Sequence, residues 1–136
     1  MQIHESAEDY LETILLLHLR NGQVRSIDIV NEMGYSKPSI SVAMKRLREN
    51  GYIDMDEEGF ITLNPSGKAI AERIYARHRW LTKFLVTLGV SEKTAAIDAC
   101  KMEHDLSDET FECIKAHALA SNREVAKAAE TKESGA

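Results

Sequence analysis

The strongest constraint on the fold is a change of period near residue 52. Before it, apolar residues recur at helical spacing in three short, separately capped segments; after it, two runs of four residues flank an acidic turn. Ser6 reads as the N-cap of a first helix, Ala7 to Arg20, with Tyr10, Leu11, Ile14, Leu15 and Leu17 as its apolar residues and acids in its first turn. Asn21 and Gly22 stop it. Ser26 reads as the cap of a second helix whose apolar residues Ile27, Val30 and Met33 recur three apart, and Gly34 supplies a left-handed C-cap. Ser36 caps a third, in which Pro38 sits in the first turn, where a missing N–H costs little, and Ile40, Ala43, Met44 and Leu47 form the buried stripe up to Gly51. Tyr52 to Met55 and Phe60 to Leu63 then read as strands of a hairpin with Asp56, Glu57, Glu58 and Gly59 at its tip. Three helices followed by a β wing form a winged helix-turn-helix pattern, in which the third helix enters the DNA major groove.

The remainder reads as helical. Pro65 to about Leu88 carries Ile70, Ile74, Arg77, Leu81 and Phe84 along one face with Trp80 beside it, Ser91 caps a helix through His104, and Ser107 caps another from Asp108 to about Leu119. The fold class expected is mainly α: a winged helix-turn-helix domain over residues 1–64, and an all-helical domain over 65–136 whose tail, from about 121, has little to bury and frays. The chain of 136 residues, 43% hydrophobic and 29% charged, excludes a large multidomain enzyme and shows no disorder signature. No apolar run approaches the roughly 20 residues of a membrane span, and the acidic amino end is unlike a signal peptide, so a cytoplasmic protein with no membrane partner is expected. Two cysteines, Cys100 and Cys113, form neither a disulfide framework nor a CxxC motif, which fits a reducing compartment.

A formal net charge of −5 argues against a general nucleic-acid binder, but the distribution is uneven. From Lys37 to Arg48 there are four cations and no acid. Ser36, Lys37, Ser39 and Ser41 suit phosphate and base-edge contacts, Pro38 offers an apolar surface to a thymine methyl, and Lys45, Arg46 and Arg48 lie nearer the backbone. The acids of the wing tip would repel phosphate. The plain alternative is a solvated helix in a protein-binding domain.

A second constellation is Cys100, Glu103 and His104. Positions i, i+3 and i+4 share one helix face, so a thiolate, a carboxylate and an imidazole converge and invite a divalent ion. Asp9 with Glu12, three apart on the first helix, and His78 on the long helix complete a mixed O, N and S set that fits Fe(II), Mn(II), Co(II) or Zn(II). Each residue alone is more often ordinary packing or surface. His4, His18 and His117 find no partners in the sequence and read as surface or core histidines. Three rivals stand beside a metal-dependent regulator: a winged-helix protein sensing oxidant through Cys100 or Cys113 or binding an organic ligand, a metalloenzyme, and a mediator of protein contacts alone. The enzyme is disfavoured because there is no glycine-rich phosphate loop, nucleophile elbow or HExxH signature.

Four separated segments, AEDYLETI, VRSIDIVNEMGYSKPSISVAMKRL, ITLNPSGKAIAERIYARHRWL and DACKMEHDLSDE, resemble in order and spacing the diphtheria-toxin-repressor family, which includes the manganese-transport regulators. The resemblance covers nearly the whole chain. It implies a homodimeric, metal-activated transcriptional repressor that binds double-stranded operator DNA and controls metal-uptake genes. It further implies the short form, without the SH3-like domain. Carried over, Asp9 and Glu12 match carboxylate ligands of the manganese type, and His78, Glu103 and His104 match ligands shared by both types. Cys100 stands where the iron type has a cysteine and the manganese type a bridging glutamate, and Thr82 where the iron type has an ancillary carboxylate. The chain is a hybrid. A thiolate favours Fe(II), Co(II) or Zn(II) over Mn(II), while Asp9 and Glu12 pull the other way, so iron is expected with manganese close behind.

Overall fold

In the computed structural model, residues 5–134 are described, with side chains for 6–121. Helices α1 (Glu5–Asn21), α2 (Ser26–Met33) and α3 (Lys37–Glu49) precede strands β1 (Ile53–Met55) and β2 (Ile61–Leu63); α4 (Pro65–Thr87), α5 (Glu92–Asp105) and α6 (Asp108–Ser134) follow. The described residues fall into two compact units, Met1–Arg79 and Trp80–Ala136, and the division lies inside α4 rather than at a loop.

The first unit is the tri-helical domain with its wing. Leu11, Ile14, Leu15 and Leu17 of α1, Ile29 of α2, Ile40, Met44 and Leu47 of α3, Ile53 and Ile61 of the strands and Ala71 of α4 share one core. The strands pair antiparallel with Ile53 opposite Leu63 and Met55 opposite Ile61. At the wing tip the Asp56 carboxylate accepts from the Glu58 and Phe60 backbone N–H groups, both at 2.9 Å, so an acid that repels phosphate also shapes the turn. Gly67 lies against the hairpin's root: a Cβ there would meet the Tyr52 carbonyl oxygen at 2.2 Å, so only glycine lets α4 start this close.

Several local readings shift. Ser6 lies inside α1, which begins by Glu5. Ser26 is the first residue of α2 and Arg25 its N-cap; the Asp28 carboxylate, one turn in, accepts from the Arg25 backbone N–H at 2.8 Å. Within α2 the buried residue is Ile29, whereas Ile27 is exposed, because a helix of eight residues permits either assignment of its apolar stripe. Ser36 caps α3 as expected, accepting from the Ser39 backbone N–H at 3.3 Å, and Gly34 closes α2 at φ 74°.

In the second unit, Leu81, Ala99 and Phe111 form a small core with Trp80, Leu85, Met102 and Leu106 packed on it. Trp80 stacks on Phe84 at 5.2 Å and meets Phe111 edge-on at 5.6 Å. Ser91 and Ser107 cap α5 and α6 by accepting from the backbone N–H groups of Thr94 and Thr110. The last helix runs on to Ser134, past the end expected near Leu119. Its sequence there is rich in Ala, Glu and Lys, with neither Gly nor Pro before Gly135 to stop it. The tail's side chains, and with them the expectation of fraying, lie outside the described residues.

Candidate metal centre and nucleic-acid interface

The donor residues fall into sets that can be described within each unit. On α5, one ligand atom each from Cys100, Glu103 and His104 lies within 4.8 Å of the others. Donors about 2.0–2.3 Å from a common ion stand no farther apart than this, so the spacing suits one divalent cation. The three share a face because they are one helical turn apart, on a helix whose buried residues Ala95, Ala99 and Glu103 recur every four. Small alanines let that face pack closely and put a carboxylate where a nonpolar side chain would be ordinary. The Glu103 side chain is fully buried and that of His104 2% exposed, with His104 Nε2 at 3.4 Å from Glu103 Oε1. Cys100 is exposed. A buried carboxylate beside an imidazole and a thiol suits a metal site, where ionised oxygen, neutral nitrogen and thiolate all bind.

In the first unit, Glu12 of α1 and His78 of α4 bring a carboxylate oxygen and a ring nitrogen within the same 4.8 Å, and Glu12 is buried. Asp9, one turn before Glu12, lines a cavity of about 290 Å³ with Ser6, Tyr10, Met33, Tyr35, Ser36 and Ser39. Tyr10 and Tyr35 meet edge-on at 6.2 Å there. Burial, then Tyr35 and the Asp9 carboxylate, push the Tyr10 phenol above its ordinary range. One cavity is thus lined both by a candidate metal ligand on α1 and by the first turn of α3.

On α3 the residues expected to face DNA are all solvent-exposed: Ser36, Lys37, Pro38, Ser39, Ser41, Lys45 and Arg46. Ser36 and Ser39 also hold one another, Oγ to Oγ at 2.8 Å, within the cap. Reading the sequence missed two residues. Arg25 spreads its guanidinium over the Phe60 ring at 4.2 Å, placing a cation beside the acidic turn of the wing. His18 contacts the backbone of β2, 43 residues away, which no spacing rule could have revealed. Of the other unassigned histidines, His117 is exposed on α6 and His4 lies outside the described residues.

A winged helix with a cationic third helix, in one chain with a mixed-donor set whose Glu103 and His104 side chains are buried, is the arrangement expected of a metal-dependent DNA-binding regulator. The family described as "Iron dependent repressor, N-terminal DNA binding domain" matches residues 2–59, and "Iron dependent repressor, metal binding and dimerisation domain" matches residues 64–119. The transcriptional regulator MntR of Salmonella typhimurium is 36% identical over 112 residues, covering 82% of this chain and 71% of that protein. Among solved structures, a manganese-dependent transcriptional repressor in complex with manganese matches with TM-score 0.73 and 30% identity over 82% of this chain and 51% of its own. The manganese regulator SloR matches with TM-score 0.71 and 26% identity over 87% and 54%. This chain spans about half the length of those solved chains. The chain belongs to the iron-dependent repressor family, the group of the diphtheria-toxin repressor and the manganese regulators. Its members are transcriptional regulators rather than enzymes, and the cofactor of the family is a divalent metal.

Proposed function

We propose that this protein represses metal-uptake genes by binding operator DNA as a homodimer when loaded with metal, Fe(II) first and Mn(II) second. Residues 1–64 would contact DNA, and residues 65–136 would carry dimerisation and most of the metal donors. The observation that carries the reading is the buried Glu103 and His104 pair with Cys100 one turn away, on a chain whose other unit is a winged helix. Glu103, His104 and Cys100 would hold metal from α5, His78 from α4, and Asp9 and Glu12 from α1. Bound metal supplies positive charge and fixed coordination directions. The chain's own part is then to commit α1: that helix packs on α2 and on β2, so whatever fixes Asp9 and Glu12 also steadies the helix pair and the wing. The preference for Fe(II) rests on the Cys100 thiol, a soft donor where a hard carboxylate would favour Mn(II). In the second unit Leu88, Ile97 and Leu119 are exposed and offer apolar surface to a second copy.

The test is an anaerobic titration of the apo protein with Fe(II), Mn(II), Co(II) and Zn(II), read as fluorescence anisotropy of a duplex taken from upstream of its own gene. Tight binding that requires Fe(II) or Mn(II) is expected. DNA binding indifferent to every metal and to chelator would sink the reading and favour a sensor of oxidant or of an organic ligand.

A further inference from the structure

The wing does not stand alone: Ile53 and Ile61 anchor it in the core, and backbone hydrogen bonds along its outer edge add to that packing. Its strands are three residues each, and a two-stranded hairpin of that size is at best marginally stable without packing or further hydrogen bonds. The backbone groups of Ile61 point away from β1 and are both occupied: its N–H donates to the Val24 carbonyl at 2.7 Å, and its carbonyl oxygen lies 2.9 Å from His18 Nε2. A loop carbonyl and an imidazole therefore cover the open edge of β2. His18 also grips the turn that follows its own helix. Its Nδ1 lies 3.2 Å from the Gly22 carbonyl oxygen, and its backbone carbonyl accepts from the Gly22 N–H at 2.9 Å. Both ring nitrogens face oxygens that can only accept; the shorter, more buried contact places a proton on Nε2.

We propose that His18 is a positioning residue for DNA binding, pinning the wing to α1 through the Nε2–H bond to the Ile61 carbonyl. The proposal rests on the DNA-binding reading of the first unit and goes beyond it by naming what holds the wing. The pin matters because of what the wing's turn brings together: Asp56, Glu57 and Glu58 at the tip repel phosphate, whereas Arg25, stacked over Phe60 at the end of the same turn, attracts it. A pinned wing keeps Phe60, and with it the acidic turn, beside the Arg25 cation; a loosened one lets the acids move independently of that charge. The same helix carries Asp9 and Glu12, so His18 fastens the wing to the element that would also donate to metal.

The experiment compares His18→Gln, His18→Asn and His18→Ala in the full-length protein, with the upstream duplex and saturating Fe(II) or Mn(II). A glutamine amide nitrogen reaches about as far as imidazole Nε2, while an asparagine reaches only as far as Nδ1. DNA affinity is expected to fall roughly threefold to tenfold in the Asn and Ala variants, the worth of one hydrogen bond, and to stay within about twofold of wild type in His18→Gln. Metal affinity, titrated without DNA, stays unchanged in all three. A Gln variant as weak as Asn, three variants equal to wild type, or a parallel loss of metal affinity would each overturn the proposal. Amide exchange of Ile61 without DNA separates this from the regulator reading. Faster exchange in Asn than in Gln supports the pin even if wild type ignores DNA under every metal, an outcome that overturns the regulator reading instead; equal exchange overturns the pin.

Discussion

At the scale of single residues, Cys100 decides more than its neighbours. Glu103 and His104 suit several divalent ions, whereas sulfur at position 100 replaces the hard oxygen that a manganese site prefers. Cys100→Glu is therefore expected to raise the response to Mn(II) relative to Fe(II), on the order of tenfold in the ratio of activating concentrations, read by DNA anisotropy under each metal. An unchanged ratio would remove Cys100 from the ligand set. Side chains whose partners lie within a turn were open to sequence reasoning: the Ser36, Ser91 and Ser107 caps and the convergence of Cys100, Glu103 and His104 follow from spacing alone. His18 was not, because its partner Ile61 becomes adjacent only after the wing has folded back. Ile27 and Ile29 show the other limit: both are apolar, both fit an eight-residue helix, and only packing selects Ile29.

Among the elements, α3 is the one proposed to carry the interaction with DNA. Its buried face, Ile40, Met44 and Leu47, is given over to the core, which leaves Lys37, Lys45 and Arg46 in solvent without structural duty. Replacing Lys37 or Arg46 with Ala is expected to weaken DNA binding and to lower the slope of log affinity against log salt by about one for each phosphate left without its cation, with metal affinity unchanged. A slope identical to wild type would place that side chain away from the backbone of DNA. The order of these elements was legible because each helix stops at a glycine or a capped turn and the period then changes. The end of α6 was not legible, since a tail of Ala, Glu and Lys favours helix without any buried stripe to mark its length.

For the molecule as a whole, a carboxylate buried at position 103 links metal to stability. Metal that binds the folded chain and not the unfolded one adds about 2.7 kcal/mol at a free concentration a hundred times its dissociation constant. Thermal unfolding should thus move up by several degrees on adding Fe(II) or Mn(II) and return on adding chelator. Glu103→Gln should abolish most of that shift, and a full shift in that variant would exclude Glu103 as a ligand. The net charge of −5 sets a second condition: an acidic body is expected to approach DNA with its cationic helix foremost, so that encounter is steered and salt-sensitive.

The two compact units divide within α4, between Arg79 and Trp80, where the backbone is an unbroken helix. This limits how such a chain can be rearranged by recombination. A loop tolerates a join that is one residue long or short, but one residue inserted in a helix turns everything after it by about 100° and advances it by about 1.5 Å. Exchange of either unit with that of a relative would succeed only when the splice keeps the helical register. Evolution can trade these units only in phase.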